Sequence, residues 1–153
     1  MKSCCFTGHR SLPAGRELTL LSEKTKAAIE NAYADGFTRF IAGGAVGFDL
    51  LCERLILEAK KQHPDISLAV YIPCKEQAYK FAPADKLLYE RLNAAADELL
   101  ILSNTYYSGC MHVRNRRMVD DSSLCIAYLT KPQGGTASTV AYAKSKGVSV
   151  IIL

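Results

Sequence analysis

Apolar positions along the chain fall into short continuous runs, separated by longer stretches where they recur at three- and four-residue spacing. The runs are "SCCF", "FTRFIAGG", "ISLAVYIP", "DELLILS", "SSLCIAYL" and "VSVIIL"; their unbroken apolar character predicts buried parallel strands. Between the first two, Leu18, Leu21, Thr25, Ala28, Ile29 and Ala32 share one helical face. They predict a helix over about 15–35, ended by Asp35-Gly36 with Gly36 as a left-handed cap. The same periodicity predicts helices over about 47–62, 75–81 and 84–95, one opened by Arg114, Arg116 and Arg117, and one over "TVAYAKSKG". Strand–helix alternation from end to end predicts one domain over 1–153: an α/β fold with a doubly wound, mostly parallel sheet and helices on both faces.

Composition changes this picture little. At 49% apolar and 22% charged residues, the chain reads as an ordinary globular domain of 153 residues. The net charge of +4 is too small to imply nucleic-acid binding unless it is concentrated in one place. No apolar run reaches membrane-spanning length and no signal peptide is visible, so the expected location is the cytoplasm. Six cysteines show no CxxC pair, which favours reduced thiols, several of them in buried strands, over disulfides or a zinc site; no metal is expected.

The placement of unusual residues is more informative. In a parallel sheet every strand-to-helix loop emerges at the carboxyl edge, where ligands bind near a reversal of strand order. Here those loops are "TGHR", "AGGAVGFD", "IPCKEQ", "SNTYYSGCMHVRNRR" and "TKPQGGTAST", whereas the return loops are plain. Gly43, Gly44 and Gly47 would let backbone amides approach a phosphate at a helix N-terminus, although glycines equally serve tight turns. Asp49 and Glu53, at i and i+4, share a helical face and could hold ribose hydroxyls or act as a general base; carboxylates also favour helix starts for dipole reasons alone. Gly134, Gly135, Thr136 and Thr139 form a second anion cradle or an ordinary N-cap. Arginines at a helix start oppose the macrodipole, so an anion reached by Arg114 or Arg117 would offset that cost better than exposed pairs with Asp120 and Asp121. His9 and His112 could bind substrate or shuttle protons.

Four separated motifs, "TGHR", "GGAVGFD" with Glu53, "MHVRNRRMVDDSS" and "GGTASTVAYA", together resemble the YpsA-like family of the SLOG superfamily in order and spacing. The resemblance covers essentially the whole chain. It implies a Rossmann-like fold, a bacterial protein, and an edge pocket for a nucleotide or nucleotide-derived ligand. Relatives in that superfamily include the Lonely Guy phosphoribohydrolases and DprA, and the best-known members of the YpsA-like branch are associated with cell division. The implied ligand-binding set is Thr7, Gly8, His9, Arg10, Gly43, Gly44, Gly47, Asp49, Glu53, His112, Arg114, Arg117, Gly134, Gly135, Thr136 and Thr139. The hydrolase branch carries a catalytic glutamate where this chain has Tyr142, so an enzyme would need Glu53 or Asp49 as its carboxylate.

The leading expectation is therefore a sensor or regulatory protein that binds a nucleotide or ADP-ribose-like molecule, with a protein partner or a homodimer as further expectations. The alternative is a nucleoside-monophosphate N-glycosidase. Nucleic acid is the weaker third class, for want of a basic stripe. The cofactor is unknown from sequence.

Overall fold

The computed structural model describes residues 2–153. Among the described residues six strands form one sheet: β1 (Lys2–Gly8), β2 (Phe37–Ala42), β3 (Ser67–Ile72), β4 (Glu98–Ile101), β5 (Leu124–Tyr128) and β6 (Ser149–Ile152). Every pairing is parallel and the order across the sheet is β4-β3-β2-β1-β5-β6. Five helices connect them: α1 (Gly15–Ala34), α2 (Phe48–Gln62), α3 (Pro83–Ala95), α4 (Cys110–Asp120) and α5 (Gly135–Ser145). The fold is Rossmann-like and doubly wound, as the alternation implies.

Side-chain alternation along the strands divides the interior into two layers. Cys4, Phe6, Phe40, Ala42, Leu68, Val70, Ile72, Leu124 and Ile126 face α1, α2 and α3. Cys5, Ile41, Ala69, Tyr71 and Cys125 face the other way, toward Met118 and Val119 of α4 and Ala143 of α5. The period of two along each strand is what allows one run of apolar residues to serve both layers. Phe6 packs between Phe40 and Phe48 at centroid distances of 6.1 and 6.4 Å, and burying each such ring contributes roughly 1.5–3 kcal/mol. All six cysteines are buried free thiols.

Two predicted elements differ. Residues 75–81 form a chain of turns closed by i to i+3 bonds (Gln77 N–H to Cys74 O, Tyr79 N–H to Glu76 O, Phe81 N–H to Ala78 O) rather than a helix. Apolar and aromatic side chains at Ala78, Tyr79 and Phe81 mimic a helical face there, but Pro83 imposes the true start of α3. The arginine helix begins earlier than the sequence suggests. It starts at Cys110 after Gly109, which adopts the left-handed conformation, and Arg117 lies in its last turn. A cation there complements the macrodipole, so the electrostatic puzzle of arginines at a helix start does not arise.

The strand order fixes where a ligand can enter. The chain steps outward from β1 to β4, then α4 carries it back across the sheet to β5 beside β1. The connections leaving β1 and β5 run to opposite faces, α1 to one and α5 to the other, and a crevice opens between them at the carboxyl edge.

Candidate functional site

A cavity of about 450 Å3 occupies that crevice. Thr7, Gly8, His9 and Arg10 form its wall at the end of β1; Ala45 and Asp49 approach from the β2–α2 connection. Gly109, Met111, His112, Arg114 and Asn115 come from the start of α4, and Gly135 and Thr136 from the start of α5. Neither α4 nor α5 has a side-chain cap among the described residues, although the first turns of both line the cavity. Uncapped first-turn amides carry partial positive charge and take up anions. Arg10, with its exposed side chain, adds a full positive charge at the rim.

His9 joins the two sides of the crevice. Its Nε2 accepts the Thr130 N–H at 2.9 Å, so a neutral ring carries its proton on Nδ1. The ring packs edge-on against Tyr128 at 5.3 Å. Burial, and then the charge of Lys131, push its pKa below the ordinary imidazole range, which preserves the accepting nitrogen.

The β2–α2 loop is built differently. The Gly44 N–H donates to Glu53 Oε2 at 3.1 Å and the Ala45 N–H to Asp49 Oδ2 at 3.3 Å, so carboxylates of the following helix accept the bonds that a phosphate would. The Gly43 carbonyl accepts from Arg114 Nη1 and from Gln77 Nε2, the latter at 3.0 Å. Arg114, only 3% exposed, also donates to Tyr71 O at 3.4 Å and, through Nε, to Asn115 Oδ1 at 2.8 Å. Burial lowers its pKa and the Asp49 charge partly restores it; an arginine remains a cation through such a shift. A Cβ on Gly43 would lie 2.6 Å from Arg114 Nη1 and 2.8 Å from Asp49 Oδ2, so the guanidinium reaches the loop only because residue 43 is glycine. A Cβ on Gly47 would meet the Arg10 backbone in the same way.

Beneath this loop Glu53 is completely buried, and its Oε1 finds no hydrogen-bond partner among the described residues. Desolvation, reinforced by the Asp49 charge, holds its pKa well above the usual carboxylate range. Asp49 is also raised by burial, against the opposing charge of Arg114. Both carboxyls are thus raised by burial, with the Arg114 charge opposing the rise at each and the Asp49 charge adding to it at Glu53.

Of the sequence-derived candidates, Thr7, Gly8, His9, Arg10, Asp49, His112, Arg114, Gly135 and Thr136 line the cavity. Gly43, Gly44, Gly47, Glu53, Arg117, Gly134 and Thr139 do not. Arg117 Nε pairs with Asp121 Oδ2 at 3.2 Å in a separate surface hollow with Arg39, Tyr71 and Glu98. The Thr139 hydroxyl donates back to Gly135 O at 2.8 Å within α5, and Tyr142 donates to Asp120 Oδ1 at 2.7 Å. Gly109, Met111 and Asn115 also line the cavity and are not among the sequence-derived candidates; Gly109 is the signal that marks them, once α4 is started at Cys110. Gln77 offers none, because its role depends on a turn that reads as helix.

Comparison with known proteins places this geometry. A family model, YpsA, described as the YspA SLOG family, matches residues 4–149. The uncharacterised SPbeta prophage-derived protein YoqJ of Bacillus subtilis is 29% identical over 137 residues, covering 81% of this chain and 80% of its own. A UPF0398 protein of Halalkalibacterium halodurans is 25% identical over 146 residues, covering 90% and 77%. Among solved structures, DNA processing protein A of Helicobacter pylori, described for its single-stranded DNA binding mode, superposes with a TM-score of 0.70 at 15% identity. DprA of Streptococcus pneumoniae gives 0.69 at 14%. The match covers 99% of this chain in both cases but only 64% and 50% of those proteins. TM1055 gives 0.64 at 15% identity, covering 98% of this chain and 72% of that one. These likenesses establish the fold.

Proposed function

Because the chain belongs to the YpsA (YspA SLOG) family, we propose that it binds a nucleotide or nucleotide-derived ligand in the crevice between β1 and β5, as a sensor or regulatory protein. One observation carries this reading: two uncapped helix starts and Arg10 surround one cavity at the strand-order reversal. The anionic part of the ligand sits against the first turns of α4 and α5, with Arg10 closing over it. Asp49, 7% exposed at the cavity wall, is the carboxylate within reach of a ribose. Arg114 shapes the wall: its Nε and Nη1 donate to the protein's own oxygens, and its Nη2 meets only Met111 Sδ at 3.9 Å.

Placement favours binding over glycosidic cleavage. Glu53 is sealed under the β2–α2 loop and Tyr142 is turned to Asp120, which leaves Asp49 as the cavity's carboxylate. A second reading, single-stranded nucleic acid, is favoured by the fold shared with the H. pylori protein, which weakens the expectation drawn from the net charge of +4.

The test is thermal unfolding with AMP, ADP-ribose, NAD and a ribose 5-phosphate control. A ligand at about 100 times its Kd adds roughly 2.7 kcal/mol, enough to raise Tm by several degrees. Arg10→Ala is expected to abolish the shift and Arg117→Ala to leave it intact. A shift that survives Arg10→Ala, or no shift with any compound, overturns the assignment.

A further inference from the structure

The cavity at the strand-order reversal has a second chamber. A hollow of about 580 Å3 adjoins it, and Arg10, Tyr106 and Met111 line both. Each is by itself within the size range of a small-molecule site. The chemistry of the second chamber is different: Val46, Phe81 and Ala82 give it apolar walls, and Tyr79 and Tyr106 stand at its rim, 71% and 61% exposed. Large aromatics left this open next to an anion site offer faces on which a planar ring stacks.

The rim is not a loose collection of side chains. The Tyr106 N–H donates to Glu76 Oε1 at 2.8 Å and the Lys75 N–H to Ser103 O at 3.1 Å, so the turns after β3 are tied to the β4–α4 loop. Phe81 is held edge-on against Tyr89 at 5.4 Å. Glu76 and Asp85 carry carboxyl groups into the lining, balanced there by Lys80 and Arg10, and carboxyl groups so placed suit the hydroxyls of a sugar. The two chambers therefore differ in character: the uncapped helix starts suit an anion between α4 and α5, and the aromatic rim suits a further ring with its sugar between α3 and the β4–α4 loop.

We propose that the ligand is two-ended, a dinucleotide whose phosphates lie in the first chamber and whose second nucleoside stacks in the chamber rimmed by Tyr79 and Tyr106. This rests on the nucleotide reading of the first chamber and adds the class of ligand to it. Arg10, shared by both, spans the junction between phosphate and second nucleoside.

Titration calorimetry of the full chain with AMP, NAD and the ten-residue strand dT10 separates the cases. NAD is expected to bind at least about tenfold more tightly than AMP, the contribution of one stacked ring. Tyr79→Ala is expected to remove that difference while leaving AMP affinity unchanged; the side chain is largely exposed, so the variant keeps its core. Equal affinities for AMP and NAD, or a difference that survives Tyr79→Ala, overturn the second chamber and leave the nucleotide reading standing. Tighter binding of dT10 than of NAD, falling steeply with salt, assigns the chamber to a nucleic-acid strand and overturns the dinucleotide. No binding of any of the three overturns both readings.

Discussion

Gly43-Gly44 and Gly134-Gly135 occupy comparable places in the topology, each following a strand at the carboxyl edge and preceding a helix. In sequence they are equal candidates for cradling an anion. In the fold, the first pair is filled by the protein itself: Arg114 and Gln77 bond the Gly43 carbonyl, and Glu53 takes the Gly44 amide. Around Gly134 and Gly135 an added Cβ would meet nothing within 4 Å among the described residues. The contrast separates two uses of glycine that look alike in a sequence. One lets an internal side chain come close, and the other leaves room for something from outside.

The largest effect is expected where the filled loop loses its cation. Arg114→Met leaves Asp49 buried without its compensating charge and strips donors from the Gly43 and Tyr71 carbonyls. Urea unfolding should show a loss of about 3–5 kcal/mol. A loss within the range of a surface substitution would mean that the loop stands without the guanidinium. Next comes the direct contrast between the two pairs. Gly43→Ala forces a methyl against Arg114 and Asp49 and should cost about 1–3 kcal/mol. Gly135→Ala, in open space and without a positive φ, should change stability by less than about 0.5 kcal/mol. Equal costs would erase the distinction.

Two pH effects sharpen it further. The Glu53 carboxyl binds its proton more tightly in the folded state than in the unfolded chain, so its contribution to stability falls as pH rises above the unfolded value of about 4.3. Glu53→Gln keeps an acceptor for the Gly44 amide and removes that slope. Its Tm should exceed that of the parent at pH 8, and the difference should shrink as pH falls toward about 4. A Tm below the parent at pH 8 would show an ionised Glu53 to be stabilising. His9 acts in the opposite sense on the open side. Its folded pKa lies below the unfolded value of about 6.5, so its contribution is present above that pH and is lost as pH falls through the folded pKa. His9→Gln, which retains an acceptor for Thr130, should flatten the stability profile in that acid interval. An unchanged profile would show that the bond to Thr130 carries no pH dependence.

Much of the architecture is legible in the residues alone. Strands and helices follow from the two hydrophobic periods, and the edge crevice follows from which loops carry the glycines, histidines and arginines. The start of α4 is obscured because Met111, Val113, Met118 and Val119 are diluted by arginines, so the polar loop reads as if it extended to residue 113. What separates Arg114 from Arg117, three residues apart, is a partner 71 positions away in sequence, the Gly43 carbonyl. No local spacing encodes that contact. The same holds for Glu53, whose i, i+4 relation to Asp49 places both on one face of α2 but does not tell which is at the cavity wall and which is sealed beneath the loop.

Backbone amide NMR of the 15N-labelled chain titrated with AMP tests the contrast between the two glycine pairs most directly. The largest shifts are expected at Gly135, Thr136 and His112, with Gly44 unmoved because Glu53 already holds its amide. Largest shifts at Gly43 and Gly44 would contradict this, placing the phosphate in the loop that the protein here fills for itself.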